Sequence, residues 1–170
     1  MNFRIRKAFL FPLGILVIEI VALLASCIIF EQPVAKSVIL GVMILPVLIL
    51  FVECLFRSTT IDSETIMTRK FLRSKSIKLS DISEVETIQV KKRAFVTLCA
   101  GDDFLIFSNA YSKFPTMVNT LLSYLPEEVI TEETAAMASE PPRKSTDILS
   151  CWLAAALMGF ILYAQLKMFL

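Results

Sequence analysis

The sequence lacks histidine altogether and has only four glycines among its 170 residues. Histidine is the commonest general base and metal ligand near neutral pH, and glycine-rich loops cradle phosphates in many nucleotide-binding sites. Neither GxSxG nor HExxH is present, so the signatures of common hydrolases and zinc proteases are missing. The four cysteines show no CxxC spacing, which gives no support to a zinc site or a disulfide framework. We therefore expect no enzyme activity, catalytic residue, cofactor or metal.

An excess of either charge is also lacking, because 17 Lys and Arg residues face 16 Asp and Glu residues. No basic stripe with interleaved aromatic residues appears, so a nucleic-acid partner is not expected. What the sequence has in excess is apolar residues, at 56%, against roughly 45–50% in an ordinary soluble domain. They are concentrated towards the two ends of the chain, which favours a membrane protein.

Three hydrophobic segments are long enough to cross a bilayer, whose hydrocarbon core takes about 20 helical residues. They are residues 8–30, 38–56 and 148–166, the last within a C-terminal stretch 148–170. The first segment follows a basic start and contains Leu24-Ala25-Ser26-Cys27, which also fits a lipoprotein signal peptide with a lipidated Cys27. The apolar run continues past Cys27 and carries Glu19, which favours a retained helix. We predict a transmembrane hairpin over residues 1–56.

Basic residues near the segment ends predict the orientation. Three lie in residues 1–7, one lies in the link 31–37, and several follow residue 56, while Arg143 and Lys144 precede the last segment. This pattern predicts a multi-pass protein of the cytoplasmic (inner) membrane. Its N-terminus and the central domain would lie in the cytoplasm and its C-terminus outside.

Residues 57–126 read as a small soluble domain. Short Thr- and Ile-rich runs indicate a hairpin over residues 58–72, and residues 101–103 (Gly-Asp-Asp) indicate another. Over residues 87–91, alternation predicts a strand with Ile88 and Val90 pointing inward. Residues 111–125 have an apolar stripe at helical spacing. Residues 127–147, rich in Glu, Ala, Ser and Pro, are predicted to be a flexible linker.

This order of elements resembles the pleckstrin-homology-like (PH-like) domains of small bacterial membrane proteins. The resemblance is carried by the hairpin directly after a membrane segment, by the run 77–82 leading into a turn, by the hairpin at 101–103 and by the helix 114–125. Leu79 departs from the pattern, which often has an aromatic residue there. The resemblance implies an α+β membrane protein: a transmembrane helical hairpin, a small antiparallel PH-like β-roll or barrel with a C-terminal capping helix, and a C-terminal transmembrane helix. It also implies a binding module without a known reaction.

Three groups of residues are candidates for function. Basic residues can contact anionic lipid, each contributing about 1 kcal/mol near the surface, although they also fit a solvated face; the candidates are Arg69, Lys70, Arg73, Lys75, Lys91, Lys92 and Arg93. Glu19 and Glu53 are polar residues within membrane segments, and Glu19 is interpreted as hydrogen-bonded between helices or as part of an ion path. Cys151, Ala155 and Gly159 form a stripe of small residues that predicts close helix packing, with the hairpin or a second copy.

The sequence thus predicts a membrane-anchored cytoplasmic binding or scaffold module. Such a module would recruit a protein partner, which the sequence leaves unidentified, or assemble as a homo-oligomer at the inner membrane face, with membrane lipids as further contacts. The alternative is a small transport or channel subunit built around Glu19.

Overall fold

The structure is a computed structural model that describes residues 1–142 and 145–169. Arg143 and Lys144, which predict the orientation of the last segment, lie outside the described residues. The chain divides into two compact units. The sheet unit comprises Met1–Arg6 and Phe56–Lys144, and the helix unit comprises Lys7–Leu55 and Ser145–Leu170.

Seven strands and five helices follow one another along the described chain. In order they are β1 (Asn2–Arg4), α1 (Lys7–Ile29), α2 (Val34–Phe56), β2 (Ser58–Ile61), β3 (Thr65–Arg69), β4 (Ser74–Lys78), β5 (Glu84–Val90), β6 (Arg93–Ala100), β7 (Asp103–Ser108), α3 (Phe114–Leu122), α4 (Glu132–Ser139) and α5 (Thr146–Phe169). Short 3₁₀ turns occupy Leu79–Asp81 and Glu127–Val129.

The helix unit consists of α1, α2 and α5, which have 23, 23 and 24 residues. The mean hydropathies of their most apolar 18-residue windows are 2.6, 2.8 and 1.8. At 1.5 Å per residue each is about 35 Å long. All three are therefore long and apolar enough to cross a membrane, as predicted. The link between α1 and α2 is shorter than predicted, because α2 begins at Val34, directly after Pro33, and not at residue 38. Proline is well suited to the start of a helix, since the amide it lacks has no helical partner there.

Helices α1 and α5 pack side by side and run in the same direction. Contacts pair residues whose numbers rise together along both helices: Phe11 with Trp152, Glu19 with Gly159, Ser26 with Gln165, and Phe30 with Phe169. Helix α2 is much less covered, with Ile44 as the one buried residue along its length.

The sheet unit contains two antiparallel sheets, with strand orders β1-β2-β3-β4 and β5-β6-β7. Alternate residues of both sheets point into a common core together with one face of α3. The fully or nearly fully buried side chains include Ile61, Ile66, Val85, Val96, Leu98, Phe107, Met117, Val118 and Leu121. The apolar stripe predicted for the helix is confirmed, and the helix itself is shorter than 111–125, starting at Phe114 after a left-handed Lys113.

Strand β1 is an element that the prediction missed. The sequence predicts only a basic start over residues 1–7, but Phe3 lies opposite Thr59 of β2, and Ile5 bridges to Tyr111. Phe3 and Ile5 are each 5% exposed, and they alternate with Arg4 and Arg6. That alternation of apolar and charged residues is a strand signal, although three basic residues obscured it.

The predicted inward orientation of Ile88 and Val90 is wrong, because they are 57% and 56% exposed. Strand β5 begins at Glu84, separated from the 3₁₀ turn by Ile82 and Ser83, and Val85 rather than Ile88 sets its buried face. Side chains alternate with a period of two, and a shift of one residue exchanges the two faces of a strand.

The predicted flexible linker 127–147 is also wrong over most of its described length. It contains a 3₁₀ turn and α4, and this segment lies along the edge of β5, where Ile130 bridges to Val85. The Thr134 hydroxyl oxygen lies 3.0 Å from the Val85 carbonyl oxygen and 2.9 Å from the Thr87 hydroxyl oxygen. Thr134 is fully buried. Composition alone predicted a flexible segment because it cannot show that threonine hydroxyl groups will bond to backbone carbonyls at the edge of a strand.

Candidate functional site

A groove of about 450 Å³ opens in the sheet unit where the turn between β3 and β4 faces β7. We call it the basic groove. Its cations are Arg57, Lys70, Arg73 and Lys75; its opposite wall is formed by Phe95 and residues 104–108, and Thr68 and Ser74 complete it. Among these lining residues, all within the described chain, none is acidic. A concave site of this volume is in the range that holds a small ligand or a short segment of one.

Strand alternation brings two of the cations into the groove. Arg57 directly precedes β2 and is in phase with Thr59 and Ile61, whose side chains are buried. On β4, Lys75 is in phase with the buried Ile77 and lies opposite Thr68 of β3. The side chains of Arg57 and Lys75 therefore both leave the inward face of their sheet, and both line the groove.

A network of hydroxyl groups holds Arg57 in place. The Arg57 Nε–H donates to the Tyr111 hydroxyl at 3.2 Å, and the guanidinium lies 5.9 Å from the centre of the same ring. The Thr59 hydroxyl donates to the Tyr111 oxygen at 3.0 Å and lies 3.0 Å from the Thr68 hydroxyl oxygen. Tyr111, Thr59 and Thr68 are all buried, so this network holds the Arg57 side chain from the core side. It uses the Nε–H and leaves other N–H groups of the guanidinium to donate to a ligand.

Lys75 lies at one boundary of the groove, between an acid and an aromatic ring. Its Nζ is 2.7 Å from Asp103 Oδ1 and 5.1 Å from the centre of the Phe104 ring. The two side chains of the ion pair are 44% and 68% exposed. An ion pair in such contact with solvent typically contributes about 0.2–1 kcal/mol, so a ligand carboxylate or phosphate can compete with Asp103 for Lys75.

The groove continues into an exposed apolar surface on the outer face of the β5-β6-β7 sheet. Phe104 and Ile106 are 57% and 44% exposed. In the strand register Phe95 lies opposite Ile88, which places the misassigned Ile88 and Val90 on this same surface. The site therefore combines cations on one wall with apolar side chains on the other.

The predicted basic candidates fall into two places. Lys70, Arg73 and Lys75 line the groove, whereas Arg69 is exposed on β3 and is not among the lining residues. Lys91, Lys92 and Arg93 form the tip between β5 and β6, where Lys91 has a positive φ of 55° and the Lys92 carbonyl accepts from Asn109 Nδ2 at 2.8 Å.

Sequence reasoning missed Arg57, Phe95 and Phe104. A signal for Arg57 was present, since alternation with Thr59 and Ile61 places it on the inward face. The signal was hidden because Arg57 was counted only among the basic residues that follow residue 56 and predict the orientation of the chain.

Within the helix unit, Glu19 lies in the seam between α1 and α5. A Cβ atom built at Gly159 would lie 2.9 Å from Glu19 Oε1, and Oε2 is buried without a hydrogen-bond partner among the described residues. Cys151 and Ala155 are buried on α5. Glu53 is half-buried on α2, and no described hydrogen bond or ion pair joins it to Glu19.

A polar cluster that the sequence analysis did not foresee lies near the ends of α1 and α5. The buried Gln165 donates to the Ser26 hydroxyl at 2.5 Å and accepts from Lys36 Nζ at 2.8 Å. Cys27, fully buried, lies 3.4 Å from the Gln165 amide nitrogen. These hydrogen bonds join α1, α2 and α5. Separating the helices would leave the Gln165 amide without partners, which costs free energy in an apolar environment.

No group of three or more potential metal-ligating side chains occurs among the described residues. Comparison with family models, with curated proteins and with solved structures finds no match to this chain. Function is therefore argued from the geometry of the groove and of the helices.

Proposed function

We propose that this protein is a membrane-anchored binding module whose sheet unit, a PH-like domain at the cytoplasmic face, holds anionic groups of a partner in the basic groove. One observation carries the proposal: Arg57, Lys70, Arg73 and Lys75 converge on a groove whose described lining has no acidic residue. The partner is a protein, a second copy of the chain or the anionic lipid surface. Seven strands precede α3, with α1 and α2 inserted between the first and the second, and this order of strands and helix supports the PH-like assignment.

The pairing of β1 with β2 supports the proposed topology. Strand β1 precedes α1, strand β2 follows α2, and the two strands pair from Asn2 opposite Thr60 to Arg4 opposite Ser58. A helical hairpin that crosses a membrane twice returns the chain to the side on which it started, as this pairing requires. The basic residues around both strands favour the cytoplasmic side. A single further crossing by α5 then leaves the C-terminus outside.

The experiment uses the full chain in nanodiscs of neutral lipid. Binding of two anionic probes, phosphatidylglycerol vesicles and polyglutamate, is measured at low and high salt. We expect salt-sensitive binding of at least one probe, and a loss of at least about tenfold when Arg73→Glu and Lys75→Glu are combined, since each cation near an anionic surface contributes about 1 kcal/mol. The matched control combines Lys91→Glu and Lys92→Glu, which changes the charge equally at the β5–β6 tip.

Two results would contradict the proposal. One is the absence of binding to either probe, and the other is a loss confined to the tip variant, which would move the anion site away from the groove.

The second candidate function, a transport or channel subunit, is favoured by the buried and unpartnered Oε2 of Glu19. Ion paths through membranes usually use several ionisable groups, and the described structure joins no second acid to Glu19. Proton flux into liposomes carrying the wild type or Glu19→Gln separates the two candidates. Flux that is lost in Glu19→Gln would establish transport, whereas equal and background-level flux is expected for a binding module.

A further inference from the structure

The free edge of β7 forms part of the groove wall. Strand β7 is the last strand of its sheet and pairs with β6 along one side. Among the strands that the structure describes, none pairs with its other side. Edge strands expose backbone N–H and C=O groups that can pair with a further strand.

The register identifies which backbone groups face the groove. The Asn109 N–H donates to the Ala94 carbonyl at 3.1 Å, and in an antiparallel ladder the residues that bond to the neighbouring strand alternate. Phe107 and Leu105 therefore bond towards β6, whereas the peptide groups of Phe104 and Ile106 point away from β6, towards the basic groove. A ligand chain lying there meets the N–H and C=O groups of these two residues, for which no described strand is a partner.

The side chains around this edge define what such a ligand must carry. Arg57, Lys70, Arg73 and Lys75 face the edge from the other wall, and the exposed Phe104 and Ile106 side chains flank it. Because side chains alternate along a strand, an added strand would present acidic groups to the cations and apolar groups to Phe104 and Ile106. An acyl chain could cover the apolar side chains but could not pair with the backbone.

The opposite edge of the same sheet shows that the fold accepts an added segment. There Ile130 bridges in parallel to Val85, and the Thr131 N–H donates to the Val85 carbonyl at 3.3 Å. The segment that supplies these residues contains Glu127, Glu128, Glu132 and Glu133 around Val129 and Ile130. It is itself acidic and rich in β-branched residues.

We propose that the groove binds an extended acidic segment of a partner protein, which adds to the edge of β7 as a further strand. This inference rests on the proposed function and specifies the partner. Strand addition takes affinity from main-chain hydrogen bonds and specificity from the side chains, and here both are provided within one groove.

The test selects peptides from a displayed library of random nine-residue peptides on the full chain in neutral-lipid nanodiscs. We expect enrichment of peptides in which Asp or Glu alternates with apolar residues. Residue-resolved hydrogen–deuterium exchange should then show slower exchange of the Phe104 and Ile106 amides when a selected peptide is bound.

A pair of variants isolates the backbone contribution. Ile106→Pro and Ile106→Ala both remove the Ile106 side chain, but only the proline removes the N–H that faces the groove. Proline is tolerated at an edge position whose N–H is not part of the ladder. We expect Ile106→Pro to weaken binding of a selected peptide at least about fivefold relative to Ile106→Ala. If the proline variant does not fold, the hydrogen–deuterium exchange of the wild-type Phe104 and Ile106 amides decides whether a bound peptide pairs with the β7 backbone.

Three outcomes would overturn the proposal. Selected peptides that leave the Phe104 and Ile106 amides unprotected would exclude strand addition. Binding of phosphatidylglycerol vesicles with no enriched peptide would exclude a peptide ligand and leave the anion-binding groove intact. Failure of every anionic probe would overturn both this inference and the proposed function.

Discussion

The two edges of the β5-β6-β7 sheet differ in how they are completed. At β5, the chain's own segment from Glu127 to Ser139 covers the edge, and the Thr131 and Thr134 hydroxyl groups bond to the Val85 carbonyl. At β7, the edge opens into a groove lined by cations. An uncovered edge invites unwanted pairing, which proteins commonly prevent with charged side chains. Lysines and arginines beside β7 can serve this purpose and also select an acidic partner.

The largest expected effect tests the two faces of β7. Phe107 is fully buried, whereas Phe104 is 57% exposed. Replacing a buried Phe by Ala typically costs about 3–5 kcal/mol, so Phe107→Ala should lower the free energy of unfolding of the sheet unit by that amount. Phe104→Ala, the matched control, should change it by less than about 0.5 kcal/mol. Denaturant unfolding of the full chain in detergent measures both, and equal destabilisation would contradict the assignment of faces.

The next largest effect concerns the covered edge. Thr134→Val keeps the shape of the side chain but removes the hydroxyl group that contacts the Val85 carbonyl and the Thr87 hydroxyl. A hydrogen bond typically contributes about 0.5–1.5 kcal/mol to stability. The Val85 carbonyl still accepts from Thr131 in this variant, so we expect a destabilisation of about 1 kcal/mol. Thr116→Val, at an exposed position of α3, is the control. Faster hydrogen exchange over α4 should accompany the loss, whereas unchanged exchange would mean that these hydroxyl groups do not hold the segment.

A smaller effect is expected at the boundary of the open edge. Asp103→Asn removes the partner of Lys75, whose Nζ lies 2.7 Å from Asp103 Oδ1. The free energy of unfolding should fall by less than about 1 kcal/mol, because both side chains are well exposed. Binding of an anionic probe should become tighter, since Lys75 no longer has a competing carboxylate. Asp102→Asn, in the adjacent turn, controls for net charge, and an equal gain in that variant would show that only overall charge matters.

The regular parts of the fold were the predictable ones. The three long apolar helices, the hairpins at residues 58–72 and 101–103 and the buried stripe of α3 follow from length, turn residues and periodicity. The contributions of distant segments were not predictable, because β1 and α4 are stabilised by partners far away in the sequence: Phe3 by β2, and Thr134 by β5.

The site was predicted only in part for the same reason. Lys70, Arg73 and Lys75 were identified by their charge, but charge did not distinguish them from Lys91, Lys92 and Arg93 at the β5–β6 tip. The groove exists because β7 faces the turn between β3 and β4, and this is a property of tertiary structure. Arg57 was recoverable from alternation, whereas the role of Phe104 depends on the free edge beside it.

The smallest expected effect concerns the acidic residues of β5 on the outer face of the β5-β6-β7 sheet. Cys99 lies on β6 opposite Glu84, and burial raises the pKa of its thiol, with the charges of Glu86 and Glu84 raising it further. The thiolate is the reactive form, so at neutral pH alkylation of Cys99 should be slower than that of an unperturbed thiol.

Glu86→Gln should lower this pKa and speed alkylation about two- to threefold, as expected for one exposed charge. Glu64→Gln, exposed and outside this sheet, should leave the rate unchanged. Rates followed from pH 7 to pH 10, with Cys99 identified by mass spectrometry, provide the measurement. A rate that does not respond to Glu86 would mean that the negative charge of β5 does not act on Cys99 across the outer face of the sheet.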